Sequence, residues 1–285
     1  MTRTKTLPDK DRGRPAPKRP ELGIRIVSAA LLAAVALAAV IVSPWSLLVL
    51  AIFAGAILAW EWGKLVREEG FDTVALIHAI GIAIIAVLVV LKRFDLAFIA
   101  LVIACCAIWL ASQAKHVWWS LAGFLATALP IAAMLWLRGD PAYGVPAVLY
   151  VLVVAAVTDT SAYALGRLIG GPKLAPYISP NKTWSGFVAG AVAPALAGYA
   201  FALGLGGTSA LALALIALGL ALACQMGDLA ESAVKRHFGV KDMSGLIPGH
   251  GGLFDRIDGL LLAAFVAGLI ALREAANPGQ GLLIW

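Results

Sequence analysis

The chain has 285 residues, of which 61% are hydrophobic and only 13% charged, against roughly 45–50% apolar and about 25% charged in soluble domains. So little charge cannot cover a water-facing surface, which excludes a soluble globular protein and points to a surface that meets lipid. The net charge is +6, but the basic residues fall in a tail and between apolar runs and build no basic face, so nucleic acid is excluded as a partner.

Residues 1–23, MTRTKTLPDKDRGRPAPKRPELG, are basic and Pro-rich and read as a disordered cytoplasmic tail. Apolar windows follow near 24–43, 45–60, 73–91, 95–111, 117–137, 146–166, 185–204, 208–227 and 259–273. A spanning helix needs about 20 residues at about 1.5 Å each, so every window is adequate and the shorter ones are marginal. The expectation is an all-α integral membrane protein, a bundle of about nine transmembrane helices. Residues 24–140 supply N-terminal membrane helices, and 141–285 supply C-terminal catalytic helices with their cytoplasmic loops. The first window contains small residues that would suit signal cleavage, but it is long for a signal peptide and a second window follows at once, so it reads as a retained span. Cys105, Cys106 and Cys224 sit inside apolar runs without metal-ligand spacing to a His, and read as small core residues outside any disulfide.

With the N-terminus in the cytoplasm, 18 of the 22 Lys and Arg residues fall inside; only Lys92, Arg93, Arg138 and Arg273 fall outside. That asymmetry sets a multi-pass orientation in the cell membrane, with N-terminus and site cytoplasmic. Trp45, Trp60, Trp62, Trp118 and Trp119 cluster at span ends, as interfacial aromatics do. Two inside segments are longer than connection requires: GRLIGGPKLAPYISPNKTWSG at 166–186, and the stretch from Asp228 to Asp258. The first spans have no comparable feature and no internal repeat stands out, so chemistry is expected in the second half of the chain.

In DTSAYALGR, Asp159 lies within the sixth window, where a carboxylate costs about 2.5–3.5 kcal/mol and wants a partner. KLAPYISPNKTWSG brings Lys173, Ser179, Asn181, Lys182 and Thr183 ahead of the seventh window. Cations and hydroxyls at a helix N-terminus make an anion site, and the same residues would equally make an ordinary positive-inside loop with Pro turns. If the eighth helix continues past Gly227, Asp228, Ser232 and Lys235 share one narrow face, with Glu231 beside it. An acid, a hydroxyl and an ammonium in line suit a phosphate with its metal; a helix end with a Glu231–Lys235 pair accounts for the same pattern.

The stretch KDMSGLIPGHGGLFDRIDG then offers a turn at Gly251 and Gly252 whose N–H groups can approach an anion, with His250 beside them. Asp255 and Asp258 fall on one face of the first turn of the last helix, where acids also suit the helix dipole. Asp228 and Asp255, on neighbouring helices, are candidates to hold a divalent cation between them. Hard carboxylate oxygens near Lys and Arg fit Mg²⁺ with phosphates, whereas zinc would want His and Cys.

The run SAVKRHFGVKDMSGLIPGHGGLFDRID, Ser232 to Asp258, resembles the signature of the phosphatidate cytidylyltransferases, and DTSAYALGR and ISPNKTWSG are similar to further family segments. The family often has Gly where this chain has Ser161. The resemblance covers roughly residues 155–273; the first five spans match in general character alone. It implies a multi-span nucleotidyltransferase, commonly a homodimer, that joins CTP and phosphatidic acid into CDP-diacylglycerol and pyrophosphate with Mg²⁺, and with a monovalent ion such as K⁺ at the same centre. By motif position it places the metal on Asp228 and Asp255, with Ser232 and Lys235 completing that face. Lys235, Arg236, Lys182, Lys173 and Arg256 would hold the triphosphate and the lipid phosphate. A CTP-using membrane lipid kinase would share acids and bases but not this full signature. An ion-coupled transporter would spread polar residues through both halves and towards both faces.

Overall fold

The computed structural model describes residues 22–112, 116–247 and 251–285, with side chains from residue 30 onward. The tail up to residue 21, Lys115 and His250 lie outside the described residues. The element order is α1 (Leu22–Val42), α2 (Pro44–Arg67), α3 (Thr73–Val90), α4 (Phe94–Ala111), α5 (Val117–Arg138), α6 (Gly144–Ile169), β1 (Lys173–Ala175), β2 (Ser179–Thr183), α7 (Trp184–Leu205), α8 (Ala210–His237), α9 (Phe254–Ala271) and α10 (Pro278–Leu283).

The helix starts follow from local chemistry. Ser43 and Ser46 form a reciprocal capping pair around Pro44 at the first position of α2. Asp72 accepts the Ala75 N–H at 2.7 Å to start α3, Thr183 caps α7, and Ser209 caps α8. Asp72 also takes the Arg67 guanidinium, which in turn reaches the Ser120 hydroxyl at 2.9 Å and so ties the α2–α3 corner to α5. Burial pushes the Asp72 carboxyl up, but its bonds to Arg67 and to the Ala75 N–H outweigh this and hold it below the ordinary value of 3.8.

Among the described residues, seven helices, α2 to α8, are long and apolar enough to cross a membrane; α1 adds an apolar stretch at Ala30–Val42. α9 misses that mark because Asp255, Arg256 and Asp258 crowd its first turn. The all-α, multi-span expectation therefore holds, while boundaries move. α2 runs on to Arg67, taking Glu61 and Trp62 into a helix; α8 continues through the polar segment to His237; α9 starts at Phe254 rather than at residue 259. Within the 166–186 segment, expected as a loop, residues 173–183 fold as an antiparallel hairpin with Lys173 opposite Thr183 and Ala175 opposite Ser179.

Helices α2 to α5 pack on one another, as do α6 to α9, and α5 against α9 joins the two sets. Phe124, Leu58, Ile82, Tyr150, Leu213 and Leu220 fill the interior, whereas Phe53, Phe98, Ile103, Leu110, Leu196 and Leu203 lie exposed on the outside, an arrangement that suits hydrocarbon surroundings. Trp62 is not interfacial: it is buried and donates its indole N–H to the Trp119 carbonyl at 2.8 Å. Cys224 is buried, while Cys106 is exposed on α4. The contact that matters most for the site is the crossing of α8 and α9. A side chain at Gly227 would stand 2.8 Å from the Asp258 carbonyl, and one at Gly259 would stand 2.6 Å from the Cys224 sulfur. Two glycines thus bring the backbones into contact where the acids begin.

Candidate functional site

One cavity of about 920 Å³ opens where the end of α6, the β-hairpin, the end of α8 and the start of α9 converge. Five carboxylic acids line it, Asp159, Asp228, Asp242, Asp255 and Asp258, facing five cations, Arg167, Lys173, Lys182, Lys235 and Arg256. Asn181 and Thr183 line it too. Side chains from Asp159 to Asp258 are gathered here because the hairpin folds back over α8. Lys182 Nζ lies 2.6 Å from Asp228 Oδ2.

Lys235 is the centre of a second ion cluster. Its ammonium sits 2.6 Å from Asp255 Oδ1 and 2.6 Å from Glu231 Oε2, and the residue is only 9% exposed. The Glu231–Lys235 pair read from the sequence is therefore present, and the same lysine also reaches α9. Asp255 Oδ2 accepts the N–H groups of Gly252 at 2.8 Å and Met243 at 3.0 Å. Asp159 and Asp228 are close enough to Asp258 for each to act on its charge, and the Cys224 thiol lies 3.9 Å from Asp159 Oδ1. Asp228, Asp159 and Asp258 thus act on one another in the cavity that Asp255 and Lys235 also line, and Lys235 is close enough to act on Asp258 as well.

Several expected site residues have other work. Arg236 is exposed and donates to the carbonyls of Ile178 at 3.3 Å and Val240 at 3.1 Å, pinning the hairpin tip to the end of α8. Thr183 is buried, and its hydroxyl accepts the Gly186 N–H at 3.2 Å as the cap of α7. Ser179 pairs within the hairpin, and Ser232 is half-buried on α8; neither lines the cavity. The turn glycines approach anions, as expected, but the anions are the protein's own. Gly251 has φ +85°, open to glycine, and a side chain there would meet Asp255 Oδ2 at 2.9 Å. A side chain at Gly252 would meet Glu61 Oε1 at 2.4 Å.

Glu61 is one residue the sequence reading passed over. It reaches the turn from α2, in the half of the chain where no chemistry was expected. Its signal was AWEWGK, an acid directly at the end of an apolar window, which raises the same question as Asp159. Gln225 is another. It lines the cavity, and its side-chain nitrogen is buried with no protein partner among the described residues.

The donor set fits a hard divalent cation, since carboxylate oxygens predominate and, among the described residues, no Cys or His belongs to the lining. Among the described residues, no three His, Cys, Asp or Glu side chains form a closed metal cage. Phosphate oxygens would have to complete the shell, as Mg²⁺ commonly requires. A second cavity of about 440 Å³ lies between α1, α2, α5 and α9, lined by Leu32, Ala54, Met134, Leu253, Ile257 and other apolar side chains. Arg256 lines both cavities and marks their junction.

The chain matches the Cytidylyltransferase family across residues 23–272. It is 37% identical over 246 residues to the phosphatidate cytidylyltransferase of Brucella abortus biovar 1 (strain 9-941), covering 85% of this chain and 90% of that protein. It is 39% identical over 145 residues to the phosphatidate cytidylyltransferase of Mycobacterium leprae (strain TN), covering 50% of this chain and 46% of that one. A third relative, from Staphylococcus saprophyticus subsp. saprophyticus, is 40% identical over 131 residues, covering 46% of this chain and 50% of its own. The match takes in both helix sets and every element that lines the polar cavity, and on that basis the chain belongs to the cytidylyltransferase family.

Proposed function

We propose that this chain transfers the cytidylyl group of CTP to phosphatidate, giving CDP-diacylglycerol and pyrophosphate. The observation that carries this reading is the cavity in which acids and cations balance and which meets an apolar groove at Arg256. A reaction between a water-soluble triphosphate and a lipid phosphate needs such a boundary. A phosphatidate oxygen attacks the α-phosphorus, the bond from that phosphorus to the bridging oxygen breaks, and pyrophosphate leaves with the electron pair. No covalent nucleophile is required; positioning and charge neutralisation supply the rate.

Lys182 and Lys173, on the hairpin, are placed to hold the triphosphate, and Arg256 to hold the lipid phosphate above the groove. Lys235 holds Asp255 in place and adds positive charge. Asp228 and Asp255 would hold Mg²⁺, with Asp159 and Asp258 beside Asp228. Bound there, the ion would neutralise charge on the transferring phosphoryl oxygens. The orientation with the cavity towards the cytoplasm follows from the 18 inside Lys and Arg residues. This reading includes the homodimer, which sedimentation in density-matched detergent checks.

The test is purified protein with phosphatidate and CTP labelled at either the α- or the γ-phosphate, with and without Mg²⁺. Lipid-bound α-label that requires Mg²⁺ is expected. Lipid-bound γ-label would make the protein a kinase and overturn the reading.

A further inference from the structure

Glu61 belongs to α2, is 0% exposed, and is absent from the lining of the polar cavity. A carboxyl group withdrawn from water this far needs donors. It has three. Oε1 accepts the Ser244 hydroxyl at 2.6 Å and the Leu253 N–H at 2.8 Å, and Oε2 accepts the Phe254 N–H at 2.7 Å. The last two are the opening amides of α9, which have no partner inside their own helix.

A Ser, Asp or Thr at position 253 would cap α9 locally. The chain has Leu253 there, with no side-chain cap, and the oxygens come instead from a helix 192 residues earlier in sequence. Local capping would let α9 form equally well, but it would not fix where α9 begins relative to α2. The arrangement is tight on both sides, since Gly252 lacks a side chain at the point where one would strike Glu61 Oε1. The neighbouring amides of Met243 and Gly252 go to Asp255 Oδ2, which leaves Oδ1 for Lys235. Two carboxyl groups thus share out the amides of one turn, one from inside the site and one from outside it.

We propose that Glu61 is a positioning residue for the transfer reaction: by holding the amides at 253 and 254 it sets the register in which Asp255 meets Lys235 and faces the cavity. The proposal rests on the function proposed above. It also gives α2 a part in the chemistry through a side chain that does not line the polar cavity.

The test uses full-length protein in nanodiscs. Glu61→Gln keeps the shape but replaces one acceptor by a donor. We expect kcat to fall about 100-fold, the scale of an ångström-level misplacement, with KM for CTP and phosphatidate moving less than about threefold. Glu61→Asp restores the charge and should recover kcat to within about tenfold of wild type. Hydrogen exchange at amides 251–256 should accelerate in Glu61→Gln while that of α2 stays as it was. Wild-type kcat in Glu61→Gln overturns the proposal. So does a loss that matches the unfolded fraction with Glu61→Asp no better. If Glu61→Gln does not insert, Ser244→Ala carries the test: a fall in kcat of about threefold to tenfold, the scale of one lost hydrogen bond, at unchanged KM and thermal midpoint supports it, and unchanged kcat overturns it. Should wild type yield no lipid-bound CMP, the proposed function fails, whereas the exchange result still reports on the turn.

Discussion

Lys235 pairs with two carboxyl groups and Asp228 with the Lys182 ammonium, and the difference sets what each substitution does. Asp228 is half-buried and pairs with Lys182, whose ammonium can move into water when released. Asp228→Asn should therefore keep its thermal midpoint while turnover falls at least about 100-fold, as for loss of a transition-state electrostatic contact. Asp255→Asn should lose turnover as fully and also lower the midpoint, because a buried ammonium and two amides lose an acceptor. Turnover and scanning calorimetry on both variants check this, and wild-type turnover in either would remove that residue from the metal site. These residues were legible in the sequence because spacing on one helix face, or within one short motif, brings them together. For Glu61 and Gln225 the residue could be seen but its role could not, since each is a single polar side chain in an apolar helix and its partner depends on how distant helices pack.

At the scale of elements, the helices could be read from runs of apolar residues, but their ends could not. α8 runs through Asp228 to His237 because its polar face lines the cavity rather than leaving the bundle. The hairpin escaped notice because Pro176 and Pro180 interrupt it; in a two-stranded sheet both strands are edges, and edges tolerate proline. The α2–α3 corner carries a pH dependence whose sign is fixed. The folded Asp72 carboxyl lies below its ordinary value of 3.8, so its contribution is present above about pH 4 and fades as pH falls through the folded value. Asp72→Asn keeps a cap but loses the charge. It should lower the thermal midpoint by about 2–4 °C at pH 7, and the gap to wild type should close in acid. A gap independent of pH would assign the whole effect to capping. The apolar groove makes a separate prediction. Ala54→Phe narrows it at a half-buried wall position. KM for dioleoyl phosphatidate should rise about fivefold, near 1 kcal/mol, while KM for dihexanoyl phosphatidate stays within about twofold. Equal rises for both lipids would mean the chain lies elsewhere.

For the molecule as a whole, the membrane class was the easiest conclusion, since composition alone forbids a wet surface. Sidedness rests on the distribution of basic residues, and it can be read directly. In a background lacking Cys105, Cys106 and Cys224, cysteine at Lys92 should react with an impermeant maleimide on intact spheroplasts. Cysteine at Lys173 should react only after lysis. The reverse pattern would invert the protein and put its nucleotide cavity on the wrong side.

The glycine crossing of α8 and α9 has a mechanical consequence. Helices that approach this closely through glycines, with little besides the Cys224 sulfur and the Leu262 Cβ at the contact, can rock about that point as a pivot while their far ends swing. Hydrophobic mismatch tilts helices, so bilayers of different thickness would displace the outer ends most and the ground beside Gly227 and Gly259 least. Turnover should accordingly change little between thin and thick bilayers, even where the outer loops shift.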